Sequence, residues 1–89
     1  MNIDTVRKIQ AEILTTLEAK NNDYGDSFAE TRVKFGMVAT IVRLTDKLNR
    51  LSSLKEGLPA VTDEAVEDTL KDMIGYCLLE LEWRYANED

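Results

Sequence analysis

Apolar residues recur along this chain at intervals of three and four with polar residues between them, and no stretch alternates one for one. That period is helical. Ile3, Val6, Ile9, Ile13, Leu14 and Leu17 make one apolar set interleaved with Arg7, Lys8, Glu12 and Glu18, which predicts an amphipathic helix over about residues 3–20 with Asn2 or Asp4 as its cap. The turn-favouring run Asn21-Asn22-Asp23-Tyr24-Gly25 then predicts a loop. A short helix over about 27–35 follows, with Ser27 as cap, Glu30 in the capping-box position and Gly36 as its stop. Over about 37–55, Met37, Ile41, Leu44, Leu48 and Leu51 fall within an arc of roughly 80° at about 100° per residue, and that arc is the expected core face. Glu56-Gly57-Leu58-Pro59-Ala60 reads as a connection. Thr62 is the expected cap of a last helix, with Asp63 and Glu64 in its first turn and Val66, Leu70, Met73, Ile74, Cys77 and Leu81 on its apolar face.

The expected fold is therefore all-α, a single helical domain spanning residues 1–89. A chain of 89 residues buries only about 60 to 65% of the surface its unfolded form exposes, so a small helical hairpin or bundle whose core is completed by homo-oligomerisation is the architecture to expect. The net charge of -6 excludes a general double-stranded nucleic-acid binder, which draws its affinity from phosphate neutralisation. Cys77 is the single cysteine, so no intramolecular disulfide forms, and its apolar neighbours predict a core position. No run is apolar for the about 18 residues that a membrane span needs, and no leader pattern opens the chain; a soluble, cytoplasmic protein without a membrane partner is expected.

Charge is ordered into three clusters. The first is Lys20 with Asp23, Tyr24 and Gly25, where an expected loop would leave backbone amides to meet an anion while Tyr24 stacks on a base. The second is Arg43, Asp46, Lys47 and Arg50, which share an arc of about 100° on one helix; two guanidinium groups and an ammonium suit phosphate oxygens, and the same residues equally form a solvated face of intrahelical ion pairs. The third is Glu64, Asp68 and Asp72 at four-residue intervals, where neighbouring like charges call for a divalent cation such as magnesium, for cations of the adjacent helix, or for plain solvent exposure. Tyr76 continues that helix one turn further. With no histidine, the usual nucleophilic triads are excluded.

Taken in order, Lys20, Asp23-Tyr24-Gly25-Asp26-Ser27-Phe28, Phe35-Gly36, the segment from Arg43 through Asp46, Lys47 and Arg50 to Leu51, the segment from Asp63 to Asp72, and Tyr76 resemble the nucleotide-modification-associated domain family common in phages and prophages. Through it the chain is also distantly similar to the all-helical pyrophosphohydrolases of the MazG type. Those hydrolases carry glutamate pairs that hold magnesium on a triphosphate; here Arg43, Asp46, Lys47 and Arg50 stand on the corresponding helix, which favours binding over hydrolysis.

The resemblance implies a small-molecule nucleotide, linear or cyclic, held between helices by Lys20, Asp23, Tyr24, Gly25, Arg43, Asp46, Lys47, Arg50 and Tyr76. No cofactor is required, and magnesium on Glu64, Asp68 and Asp72 is an optional addition. In a phage such a protein is similar to those that sequester the cyclic nucleotide signals of bacterial defence. Two alternatives stand beside this reading: a magnesium-dependent pyrophosphohydrolase or nucleotide-modification enzyme, and a helical interaction module without a ligand.

Overall fold

The computed structural model describes residues 1–24, 26–55 and 59–88, without the side chains of residues 23, 24 and 59–62. Four helices follow in order: α1 Ile3–Tyr24, α2 Ser27–Phe35, α3 Val38–Leu54 and α4 Pro59–Ala86. No strand occurs among the described residues. The all-α expectation therefore holds, with two differences in where helices end.

The first helix does not stop at Lys20. It continues through the Asn-rich run to Tyr24, so the amides of residues 21–24 belong to helical turns and are not loop donors for an anion. Asn and Asp each cost only about 0.5 kcal/mol in a helix relative to Ala, and a helix already five turns long extends without a new nucleation step. At the other end Asn2 caps as expected, its Oδ1 accepting a hydrogen bond from the Thr5 amide at 3.0 Å. In α2, Ser27 is the first helical residue rather than the cap; Asp26 holds that position through its backbone, whose carbonyl accepts from the Glu30 amide at 3.2 Å, without a side-chain capping bond. Gly36 ends α2 with φ 72°, a left-handed conformation that glycine adopts without steric cost.

The second difference lies at α4, which is helical from Pro59. A proline fits a helix's first turn because the amide it lacks has no partner there in any case. Thr62 is thus inside the helix rather than its cap, and Asp63 and Glu64 stand beyond the first turn. Of the expected connection, residues 56–58 lie outside the described residues.

One carboxylate joins three helices. Glu80 of α4 is 6% exposed and Thr40 of α3 is 1% exposed. Thr40 Oγ1 donates to Glu80 Oε1 at 2.8 Å, while Arg32 of α2 donates from Nε to the same oxygen at 2.9 Å. Arg84, one turn along α4, donates from Nε to Oε2 at 2.6 Å. The Arg32 guanidinium also lies 4.1 Å from the centroid of the Trp83 ring, so its flat face is covered as its edge is bonded. A second inter-helix pair, Lys47 with Asp72 at 2.9 Å, falls further along α3 and further back along α4. The partners' numbers rise on one helix as they fall on the other, which makes α3 and α4 antiparallel. On α1, Glu12 pairs with Lys71 at 3.2 Å, and Leu17 approaches Gly75. Numbers rise together here, so α1 lies along α4 in the same direction.

The apolar faces expected to form the core are covered only in part. Ile13 and Phe28 are the buried hydrophobic residues among those described. Met37, Ile41 and Leu48 of α3 are exposed, as are Leu70, Ile74 and Leu81 of α4, while Leu44, Leu51, Val66 and Met73 are half-buried. Cys77 is exposed as well, correcting its expected core position. Polar pairing at Glu80 draws α3 and α4 together along the edges that carry Thr40 and Thr69, and this rotates much of their apolar arcs outward.

Two expectations follow. The Arg32 hydrogen bond, helped by those from Thr40 and Arg84 and opposed by burial, holds the Glu80 carboxyl at about 2 against an ordinary 4.5. A carboxylate with a lowered pKa contributes its full stability above about pH 4.5 and loses it as the pH falls from there toward 2. Glu80→Gln, which leaves Arg32 facing a neutral amide, is expected to destabilise the protein by about 3 kcal/mol. Denaturant unfolding at fixed protein concentration should show this gap at pH 7 and a shrinking gap below pH 4.5. Gly75 sits in the middle of α4, and an added Cβ would meet Leu17 Cδ2 at an ordinary 3.5 Å. Gly75→Ala is therefore expected to stabilise the fold by about 0.5–1 kcal/mol in the same measurement.

Candidate functional site

A cavity of about 440 Å³ opens between α1, the start of α2, α3 and α4. Ligand pockets commonly measure about 300–1,000 Å³. Helix spacing explains which side chains reach it. From α1 come Glu12, Ile13, Thr16, Leu17 and Lys20, three and four apart on one stripe, followed by Asn21. From α4 come Asp68, Lys71, Asp72, Gly75, Tyr76 and Leu79, again at helical spacing. Asp26, Ser27 and Phe28 close one end, and Arg43 enters from α3.

Arg43 is the most constrained cation of this wall. Its guanidinium carbon lies 5.3 Å from the centroid of Phe28 and 5.7 Å from that of Tyr76, both within the range of cation–π attraction. Two aromatic rings thus fix a guanidinium at the cavity's edge. Ion pairing then sorts the remaining charges. Glu12 and Lys71 neutralise each other, and Asp72 is neutralised by Lys47. Lys20 and Arg43 form no ion pair among the described residues, nor do Asp26 and Asp68. The cavity therefore offers two cations and two carboxylates, with the hydroxyls of Thr16 and Ser27 and the amide of Asn21 around them.

Gly75 matters to this shape. It is buried on the cavity wall where α1 and α4 approach, and a Cβ there would meet Leu17 Cδ2 at 3.5 Å.

The residues singled out by sequence divide between this cavity and a second hollow. Lys20, Arg43, Tyr76, Asp68 and Asp72 line the cavity. Lys47, Arg50 and Glu64 line a shallower recess of about 290 Å³ between α3 and α4, which Asp68 and Asp72 also border. Asp46 is exposed and lines neither. The side chains of Asp23 and Tyr24 and the whole of Gly25 lie outside the described residues. Among the described residues no group of three histidine, cysteine, aspartate or glutamate side chains gathers in a way that could hold a metal ion.

Sequence reasoning passed over Phe28, Asp26 and the Glu12–Lys71 pair as site features. Phe28 was legible as the first large apolar residue after a turn, but its role as a shelf for Arg43 depends on how α2 and α3 meet. The Glu12–Lys71 pair joins residues far apart in sequence and left no local signal.

Comparison with known proteins gives one match. No curated protein and no solved structure matches the chain. Residues 20–81 match the family model described as nucleotide modification associated domain 1, a span that runs from the cavity cation Lys20 past Glu80 and takes in Phe28, Arg43, Asp68, Asp72 and Tyr76. The chain belongs to the nucleotide modification associated domain 1 family.

Proposed function

We propose that the protein binds a nucleotide in the α1–α4 cavity. The observation that carries this reading is the ring-supported Arg43 guanidinium on a wall that also holds Lys20. A phosphoryl group takes charge-assisted hydrogen bonds from both cations, and Arg43 offers its fork in a fixed orientation. Tyr76, which is half-buried, supplies aromatic surface beside the phosphate position for the base, while the buried Phe28 backs the Arg43 guanidinium. Asp26 and Asp68 accept from sugar hydroxyls or from an exocyclic amine, as do the hydroxyls of Thr16 and Ser27.

Charge balance favours a ligand with one phosphoryl group. Lys20 and Arg43, which form no ion pair among the described residues, match the charge of a monophosphate dianion, whereas the four charges of a triphosphate exceed theirs in a cavity that also holds Asp26 and Asp68. Arg50, in the neighbouring recess, extends the cationic track beyond this first phosphate position, with Lys47 beside it engaged by Asp72, while Asp46 stays on the exposed face of α3. Asp23, Tyr24 and Gly25 follow Lys20 in sequence, and their contact with the base belongs to this proposal. A nucleotide held without turnover is withdrawn from any signalling pool, and sequestration of a cyclic nucleotide of bacterial defence, as in a phage protein, is the role to which this reading extends.

A second reading is favoured by one observation: Asp68 and Asp72 border both hollows. Magnesium is commonly held by one or two carboxylates together with phosphate oxygens rather than by a cage of protein ligands alone. Asp68 and Asp72 would then hold magnesium together with the oxygens of a polyphosphate for hydrolysis, Asp72 giving up its pair with Lys47.

Isothermal titration with nucleoside monophosphates, triphosphates and cyclic nucleotides, each with and without magnesium, separates these readings. Binding of a monophosphate or a cyclic nucleotide without magnesium is expected. Arg43→Gln should weaken it by about 10- to 100-fold, the loss of one charge-assisted hydrogen bond of about 1.5–3 kcal/mol. Lys20→Met should weaken it similarly without disturbing the aromatic wall. Heat only from triphosphate with magnesium, followed by release of pyrophosphate that Asp68→Asn abolishes, would establish the hydrolase instead. No heat from any nucleotide would remove both readings.

A further inference from the structure

The α3–α4 hairpin turns one side to α1 and the cavity, and its other side carries apolar groups that no part of the described chain covers. On α3, Ile41, Val42 and Leu48 are exposed; on α4, Ile74, Leu78 and Leu81 are exposed, with Cys77 among them. At about 100° per residue, each set is centred roughly 130–140° around its helix from the edge facing the other helix, the edge that carries Thr40 on α3 and Thr69 and Glu80 on α4. Because the two helices are antiparallel, equal rotations of the same sense bring both sets to the same side. They lie on the same side of the hairpin, splayed about 90° apart, with the half-buried Leu44 and Met73 nearer the contact between the helices.

The size of the uncovered surface says what it needs. The chain exposes 6882 Å², whereas a compact monomer of 10.1 kDa exposes about 5,300 Å² by the scaling of surface with mass. Its radius of gyration of 14.6 Å likewise exceeds the about 12 Å of a compact domain this long. The surplus over the whole chain is about 1,600 Å², and half of it, about 800 Å² per chain, is what each partner buries in a standard-size protein interface.

We propose that this face seats a second copy of the chain, forming a two-fold dimer in which the two α3–α4 hairpins pack as four helices and each cavity faces outward. Local charge permits this occupant. The chain carries a net charge of -6, which an anionic membrane surface repels. The α3 part of the face, from Val38 through Ile41, Val42, Thr45, Leu48 and Asn49 to Ser52, has no ionisable residue, so two like-charged chains can meet there. A two-fold contact also presents each apolar row with an equivalent row. The exposure of Cys77 and of the arcs expected to be core is then the exposure of a single protomer. This inference does not depend on the nucleotide reading, since the two occupy opposite sides of the hairpin.

Sedimentation velocity at micromolar concentration tests it, with thiol labelling of Cys77 as a second readout. The wild-type protein is expected to sediment at twice 10.1 kDa, the pair Ile41→Glu and Ile74→Glu at the single-chain mass, and Val33→Glu, a control at an exposed apolar position on α2, as the dimer. Cys77 should label about tenfold or more slowly in a concentrated sample than in one diluted below dissociation, because reaction then requires opening of the interface. A folded wild-type monomer at all concentrations would overturn the proposal, as would a dimer that survives both charges. Should the double variant fail to fold, the labelling decides: equal Cys77 rates in concentrated and dilute wild-type protein overturn the proposal, and unequal rates sustain it.

Discussion

The Glu80 carboxylate is the constraint on which the arrangement of helices depends. An ionised carboxylate removed from water is costly unless its oxygens are fully bonded, and here Arg32, Thr40 and Arg84 bring donors from three helices to its two oxygens. Satisfying it fixes the rotation of α3 against α4 and the docking of α2 across them. The same rotation sets Arg43 between Phe28 of α2 and Tyr76 of α4, because Arg43 lies one turn from Thr40 and Tyr76 one turn from Glu80. A buried polar bond and the cation on the cavity wall are thus two consequences of one register.

That register also explains why the molecule has two unlike sides. Drawing α3 and α4 together through Thr40, Glu80 and the Lys47–Asp72 pair uses polar edges for the contact between them. The apolar arcs flank this contact instead of filling it. On one side α1 supplies a cover, closing over Gly75 and leaving the cavity lined by Lys20, Phe28, Arg43 and Tyr76. On the other side the arcs stay bare among the described residues of one chain, and this is the face on which we propose that a second copy sits. The proposed nucleotide cavity and the proposed dimer face thus lie on opposite sides of the same pair of helices.

Much of this fold was legible in the sequence. The four helices and the all-α class followed from the period of three and four, Gly36 marked the end of α2, and Asn2 marked the start of α1. What local pattern could not reveal was competition between segments. The Asn21–Tyr24 run has turn-favouring side chains, yet the preceding turns carry the helix through it. Thr62 has the chemistry of a cap, but Pro59 starts the helix earlier. The apolar arcs of α3 and α4 were legible as apolar, but their expected place in a core was not met at Met37, Ile41, Leu48, Leu70, Ile74 and Leu81, which are exposed; their direction goes with Glu80, whose partners Arg32 and Thr40 lie 48 and 40 residues away.

The candidate site was legible in its residue types and less so in its grouping. Arg43, Lys47 and Arg50 share a helix arc, but successive turns of α3 deliver Arg43 to the cavity and the other two to the recess beside it. The central claim is that the wall built from Lys20, Phe28, Arg43 and Tyr76 receives a nucleotide. An amide NMR titration with a nucleoside monophosphate tests it most directly. The account predicts saturable shifts gathered at Thr16, Leu17, Phe28, Gly75 and Tyr76 together with the Arg43 Nε proton; shifts confined to the opposite face around Ile41 and Leu78, or none at saturating nucleotide, would contradict it.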